Sequence, residues 1–86
     1  MQANFLFELE FAKVYPTFTK NLSAITPNLT SREIKICMYL RMNYDSRQTQ
    51  KNLGISRSTY FNSCSNIRKK LRLKRNESLG SKLFAI

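Results

Sequence analysis

Gly54 is one of only two glycines in 86 residues, and it lies between two stretches with helical spacing. The stretch ahead of it has a thin apolar side, Thr49 and Leu53. Behind it come Tyr60, Cys64, Ile67 and Leu71, spaced four, three and four, which is one face of an α-helix. The pattern predicts a left-handed Gly54 that stops the first helix, an Ile55 that plugs the turn, and a Ser56 that caps a second, longer helix over about residues 56–71. With two glycines and two prolines in all, few turns are available elsewhere. The expected class is therefore all-α.

The remaining segments fit that class. Asn4 is placed to cap a first helix, and Phe7, Phe11, Val14, Phe18 and Leu22 recur along one side of residues 1–28. Pro16 interrupts this stripe, so two short helices are expected to meet near Tyr15 and Pro16. The aromatic side chains of this lead-in either wrap around residues 29–86 as core or leave part of the stripe as a docking surface. Ile25-Thr26-Pro27-Asn28 reads as a connector. Thr30 with Glu33 forms a capping box, flanked by a Leu29–Ile34 staple, and starts a helix that runs to about Asn43 and buries Ile36, Cys37, Tyr39 and Leu40. Asp45 with Gln48 forms a second capping box. After the long helix comes a basic connector, and then Asn76 is placed to cap a last helix over residues 77–85 with Leu79, Leu83 and Phe84 on one side. Cys37 and Cys64 each fall within an apolar helical pattern and read as small core residues rather than a disulfide pair.

Charge separates the two halves. Residues 1–45 hold five Lys/Arg against four acids, a net of +1, whereas residues 46–86 hold ten against the single acid Glu77, a net of +9. A soluble surface needs no such asymmetry, so a polyanionic partner is expected. Nucleic acid fits better than a membrane surface, because the cations decorate short helices joined by turns rather than one long amphipathic helix. No run approaches the roughly 18 apolar residues of a membrane span. The first residues carry no visible signal peptide, which predicts a cytoplasmic chain with no membrane contact from this segment.

Catalysis is not expected. The sequence contains no histidine, no metal-spaced cysteine cluster and no glycine-rich phosphate loop, and its five acids are scattered. No nucleophile, base and orienting group are brought within reach of one another, and no metal or cofactor is implied. Binding remains. On a helical wheel Ser58, Asn62, Ser65 and Lys69 oppose the apolar stripe, with Phe61 and Arg72 on one flank. A helix with small polar and amide side chains in front and cations at its ends is what a DNA groove accepts. Base contacts are assigned to Ser58, Phe61, Asn62 and Ser65; Asn62 suits adenine, and Phe61 either packs on a thymine methyl or tucks against the preceding helix. Phosphate contacts are assigned to Arg47, Arg57, Arg68, Lys69 and Arg72.

These residues also resemble a known family. Leu29-Thr30-Ser31-Arg32-Glu33, Ile36-Cys37, Leu53-Gly54-Ile55-Ser56-Arg57-Ser58-Thr59 and Ile67-Arg68-Lys69-Lys70-Leu71 look like the LuxR/GerE-type helix-turn-helix. The lead-in is similar to that of output domains at the C-termini of larger Bacteroidetes regulators. The resemblance implies a four-helix DNA-binding domain over residues 29–86, preceded by the helical lead-in. In it the third helix reads the major groove of double-stranded DNA, with backbone contacts near Arg57, Ser58, Thr59 and Lys69, and the fourth supplies a homodimer contact, here Leu79, Leu83 and Phe84. Tyr60 stands where the family usually has valine, and Gln48-Thr49-Gln50 where it usually has Glu-Ile-Ala, so no operator sequence carries over. The turn and long helix also resemble the promoter-reading region of sigma factors. That leaves a second reading, an interaction module that docks on RNA polymerase or another regulator.

Overall fold

In the computed structural model, which describes residues 2–86, six helices follow one another: α1 (Gln2–Val14), α2 (Phe18–Ile25), α3 (Ser31–Arg41), α4 (Ser46–Leu53), α5 (Arg57–Lys70) and α6 (Leu79–Phe84). No strand occurs among the described residues. None of the helices is long and apolar enough to cross a membrane.

Local chemistry sets most helix starts. At α3 the Glu33 N–H donates to Thr30 Oγ1 (3.1 Å), and the Thr30 N–H donates back to Glu33 Oε1 (2.8 Å). At α4 the Gln48 N–H donates to Asp45 Oδ1 (2.7 Å), and the Asp45 N–H donates to Gln48 Oε1 (3.1 Å). Both capping boxes thus form as their spacing predicts. Pro16 sits in the break between α1 and α2, which is where a residue without an N–H costs least. Two expected caps differ. The backbone is already helical at Gln2, so Asn4 lies inside α1, and its side chain falls outside the described ones. The last helix begins after Ser78 rather than at Asn76, because the Glu77 carboxylate accepts from the Lys74 N–H (2.7 Å) and keeps residues 74–77 in a separate turn.

Helix ends follow one rule. α3, α4 and α5 each stop at a left-handed residue, Asn43 (φ 64°), Gly54 (φ 64°) and Arg72 (φ 57°). The next residue's N–H then bonds back across the last turn: Tyr44 to the Tyr39 carbonyl (3.0 Å), Ile55 to Gln50 (3.1 Å) and Leu73 to Arg68 (3.0 Å). This is the Schellman arrangement, which satisfies carbonyls that the helix itself leaves without partners.

One core runs through the whole chain. Phe11, Phe18 and Leu22 of the lead-in share it with Ile36, Cys37, Tyr60, Ile67, Leu71, Leu79 and Leu83. Phe7 adds a ring stacked on Tyr39 with centroids 3.9 Å apart. α3 lies at the centre, against both α5 and α6. Val14 departs from its predicted stripe and is exposed, since α1 ends there and the chain turns away at Pro16. Leu40 is only half-buried, and Met38 takes a buried place instead. Neither cysteine is disulfide-bonded. Cys37 is fully buried, and burial pushes its thiol up to about 12.

A long-range ion pair fastens the two ends of this core. The Lys70 ammonium donates to Glu33 Oε1 (2.7 Å) and to the Asn28 carbonyl (2.9 Å), which joins the end of α5 to the start of α3. Burial raises the pKa of the Glu33 carboxyl, but the bonds from Lys70 and from the Thr30 N–H outweigh it and hold the group below its ordinary value.

Candidate nucleic-acid interface

The α4–α5 turn fixes how α5 is presented. Gly54 reverses the chain in a conformation that side chains rarely adopt, and a half-buried Ile55 anchors the turn on the core. Ser56 then caps α5, its Oγ accepting from the Thr59 N–H (3.1 Å). Tyr60, Ile67 and Leu71 face inward and are buried, while Cys64 is half-buried. Once that stripe is packed, the opposite side of α5 can only face solvent.

All four residues assigned to bases are exposed: Ser58, Phe61, Asn62 and Ser65. Phe61 is 48% exposed, with its ring edge-on to Tyr60 at 5.1 Å between centroids. The Arg57 guanidinium lies over the same ring at 5.6 Å. Phe61 and Arg57 join Ser46, Arg47 and Gln50 around an open groove of about 260 Å³ between α4 and the start of α5. Arg47 in the first turn of α4 and Arg57 at the first position of α5 thus line one groove, each at a helix N-terminus where the backbone dipole also favours an anion.

The residues assigned to phosphates divide. Arg47, Arg57, Lys69 and Arg72 are exposed and available. Thr59 is not turned outward in the same way, because its Oγ1 accepts a hydrogen bond from Ser56 Oγ (3.0 Å) as part of the cap. Arg68 is half-buried, and its guanidinium donates to the carbonyls of Glu77 (2.8 Å) and Lys74 (2.9 Å). Its fork fastens the connector. Lys70 likewise points to Glu33 and Asn28. Three adjacent cations therefore have three different surroundings, which a basic run in a sequence cannot reveal. Arg75, legible only as part of the basic connector, lines a second groove with Ser65, Arg68, Lys69 and Leu73.

The dimer residues divide too. Leu79 and Leu83 are buried in this chain's own core, so they offer no surface to a second copy. Phe84 alone is exposed, at 51%, with the Arg41 guanidinium over its ring at 4.6 Å and over the Tyr15 ring at 4.3 Å.

Fold and surface together define a small all-helical protein whose longest helix carries a polar, uncharged outer face with cations at both ends. Comparison with protein-family models, with curated proteins and with solved structures found no match.

Proposed function

We propose that this chain is a sequence-specific DNA-binding transcription regulator that lays α5 in the major groove of double-stranded DNA. One observation carries the reading. Along the outer face of α5 the side chains are Ser58, Asn62 and Ser65, all exposed and uncharged, bracketed by Arg57 at one end and by Lys69 and Arg72 at the other. Arg57 and Lys69 are twelve residues apart, about 18 Å along the helix. Cations at both ends of the helix suit the phosphates that border a major groove, with the hydrogen-bonding side chains between them free for base edges. The resemblance to LuxR/GerE-type domains points to the same helix.

Electrostatics supplies most of the affinity. Phosphate contacts by five of the exposed cations (Arg47, Arg57, Lys69, Arg72 and Arg75) would set a salt slope of about −4.5 per copy. Binding then weakens roughly 500-fold for a fourfold rise in salt, and a homodimer on a two-part site doubles the slope. The slope therefore counts copies. Specificity rests chiefly on Asn62, whose amide matches the donor and acceptor of adenine.

Fluorescence anisotropy of the chain against a genomic-fragment pool and a scrambled duplex, titrated over salt, tests this. Fragments retained near physiological salt, with the scrambled control released, are the expected result. Asn62→Ala should relax base preference more than it weakens binding. An equal loss on every sequence removes Asn62 from the reading role.

A second reading has its own observation. Leu6, Leu9 and Val14 on α1, Ile25 on α2 and Phe84 on α6 are large apolar side chains left exposed, which suits a module docking on RNA polymerase or another regulator. Arg57→Glu with Lys69→Glu separates the two readings. It abolishes binding under the DNA reading and spares it under the docking one.

A further inference from the structure

The connector between α5 and α6 carries Arg72, Lys74 and Arg75, all exposed, yet it is built as a fixed element. Arg72 and Leu73 close the Schellman turn, and Leu73 packs half-buried on the core. Arg68 reaches back from α5 and donates through both terminal nitrogens, Nη1 to the Glu77 carbonyl (2.8 Å) and Nη2 to the Lys74 carbonyl (2.9 Å). The Glu77 N–H donates to the Lys74 carbonyl (3.0 Å), and the Glu77 carboxylate accepts from the Lys74 N–H. The single acid of residues 46–86 is thus turned onto the loop backbone rather than set opposite the neighbouring cations.

Between this connector and α5 runs an open groove of about 630 Å³, lined by Ser65, Arg68, Lys69, Leu73 and Arg75. We propose that this groove holds a backbone phosphate of the duplex that α5 reads, with Lys69 and Arg75 as its ligands and Arg68 as a positioning residue acting through the connector. The inference rests on the DNA reading above. Lys69 brings a compact ammonium and Arg75 a planar fork, and Ser65 adds a hydroxyl donor at the edge nearest the base-reading face. A solvated surface has no use for a cationic loop locked by six polar contacts. A phosphate site does, because a loop backbone already fixed around Arg75 leaves only that side chain to be ordered on binding. Arg68 suits the fastening role, since one planar guanidinium reaches two carbonyls at once and a lysine ammonium does not reproduce that geometry.

The test compares wild type, Arg75→Ala, Arg68→Lys and the double variant on a scrambled duplex at low salt, since phosphate contacts ignore sequence. Arg75→Ala should make the salt slope shallower by about 0.9. Arg68→Lys keeps its charge and should nevertheless lose as much affinity as Arg75→Ala, with the double variant no weaker than Arg75→Ala alone. Losses that multiply, or an Arg68→Lys that binds like wild type, overturn the positioning role. A wild type that binds while Arg75→Ala keeps its slope overturns the phosphate site and leaves the DNA reading standing. A wild type that binds no duplex overturns both. Hydrogen exchange without DNA reads the fastening directly: the Lys74 and Glu77 amides should exchange faster in Arg68→Lys, and unchanged protection overturns that part whatever the DNA result.

Discussion

Glu33 shows how much one residue's surroundings decide. Its carboxylate caps α3 and accepts from Lys70 while nearly all of its surface is buried. Because its pKa in the folded chain lies below the ordinary 4.5, the pair stabilises the fold fully above that value and loses its contribution as pH falls through the folded value. Thermal midpoints should therefore drop on acidification below 4.5, and the drop should be smaller in Glu33→Gln, which has no carboxyl to titrate. Lys70→Met should be the more damaging change at neutral pH, by about 2–3 kcal/mol, since it leaves a buried carboxylate without its cation. For a chain of this size that is a fall of roughly 10–20 °C in thermal denaturation. A Lys70→Met protein as stable as wild type would reduce the pair to a surface contact. The capping half of this arrangement was legible from the Thr30–Glu33 spacing. The Lys70 half was not, because the partners lie 37 positions apart and Lys70 reads like its basic neighbours.

At the scale of elements, the three Schellman ends differ in what holds them. Gly54 adopts its left-handed φ without a side chain, and a Cβ built there meets nothing within 4 Å. Gly54→Ala should therefore cost only backbone strain, about 1 kcal/mol. Arg72 holds nearly the same conformation with a full side chain. Arg72→Gly should consequently raise stability by about 0.5–1 kcal/mol in denaturant unfolding while it weakens DNA binding. Opposite signs in the two measurements would show an arginine kept for its charge at a site that prefers glycine. Loss of both would mean that its side chain packs usefully. Gly54 and Asn43 were legible as helix stops, since both residue types tolerate positive φ. Arg72 was not, because arginine carries no such signal and only the bonds of the finished turn hold it there. The cap of α6 lies two residues beyond the one that Asn76 offers, for a related reason. Asn76-Glu77 has the chemistry of a capped first turn, but side-chain bonds from Arg68 and Glu77 claim that segment before a helix can begin.

For the whole molecule, the aromatic stripe of the lead-in, the paired capping boxes and the glycine turn made an all-helical chain legible. The sharing of one core across residue 28 was legible as one of two readings, and the structure takes it; which residues meet Phe11, Phe18 and Leu22 was not, since a periodic stripe shows that a face is buried and not what buries it. Charge is the property that belongs to no single element. A net +10 is held in a body measuring 35 × 29 × 21 Å, so at low salt, where the screening length is about 10 Å or more, most cations feel their neighbours. The folded chain is then strained by its own charge, and added salt should relieve it. Raising salt from about 50 to 500 mM should lift the thermal midpoint by a few degrees, because screening shortens to under about 5 Å. The same change should release DNA by several decades. Excess duplex at low salt should restore the lost stability, as a ligand bound only by the folded chain does. If the midpoint fell with salt instead, attractive pairs such as Glu33–Lys70 and Glu8–Lys35 would outweigh the repulsion, and the basic half would be balanced without a polyanion. A midpoint that rises with salt and again with DNA would mean that the excess charge lacks its counterpart in the isolated chain and finds it on the duplex.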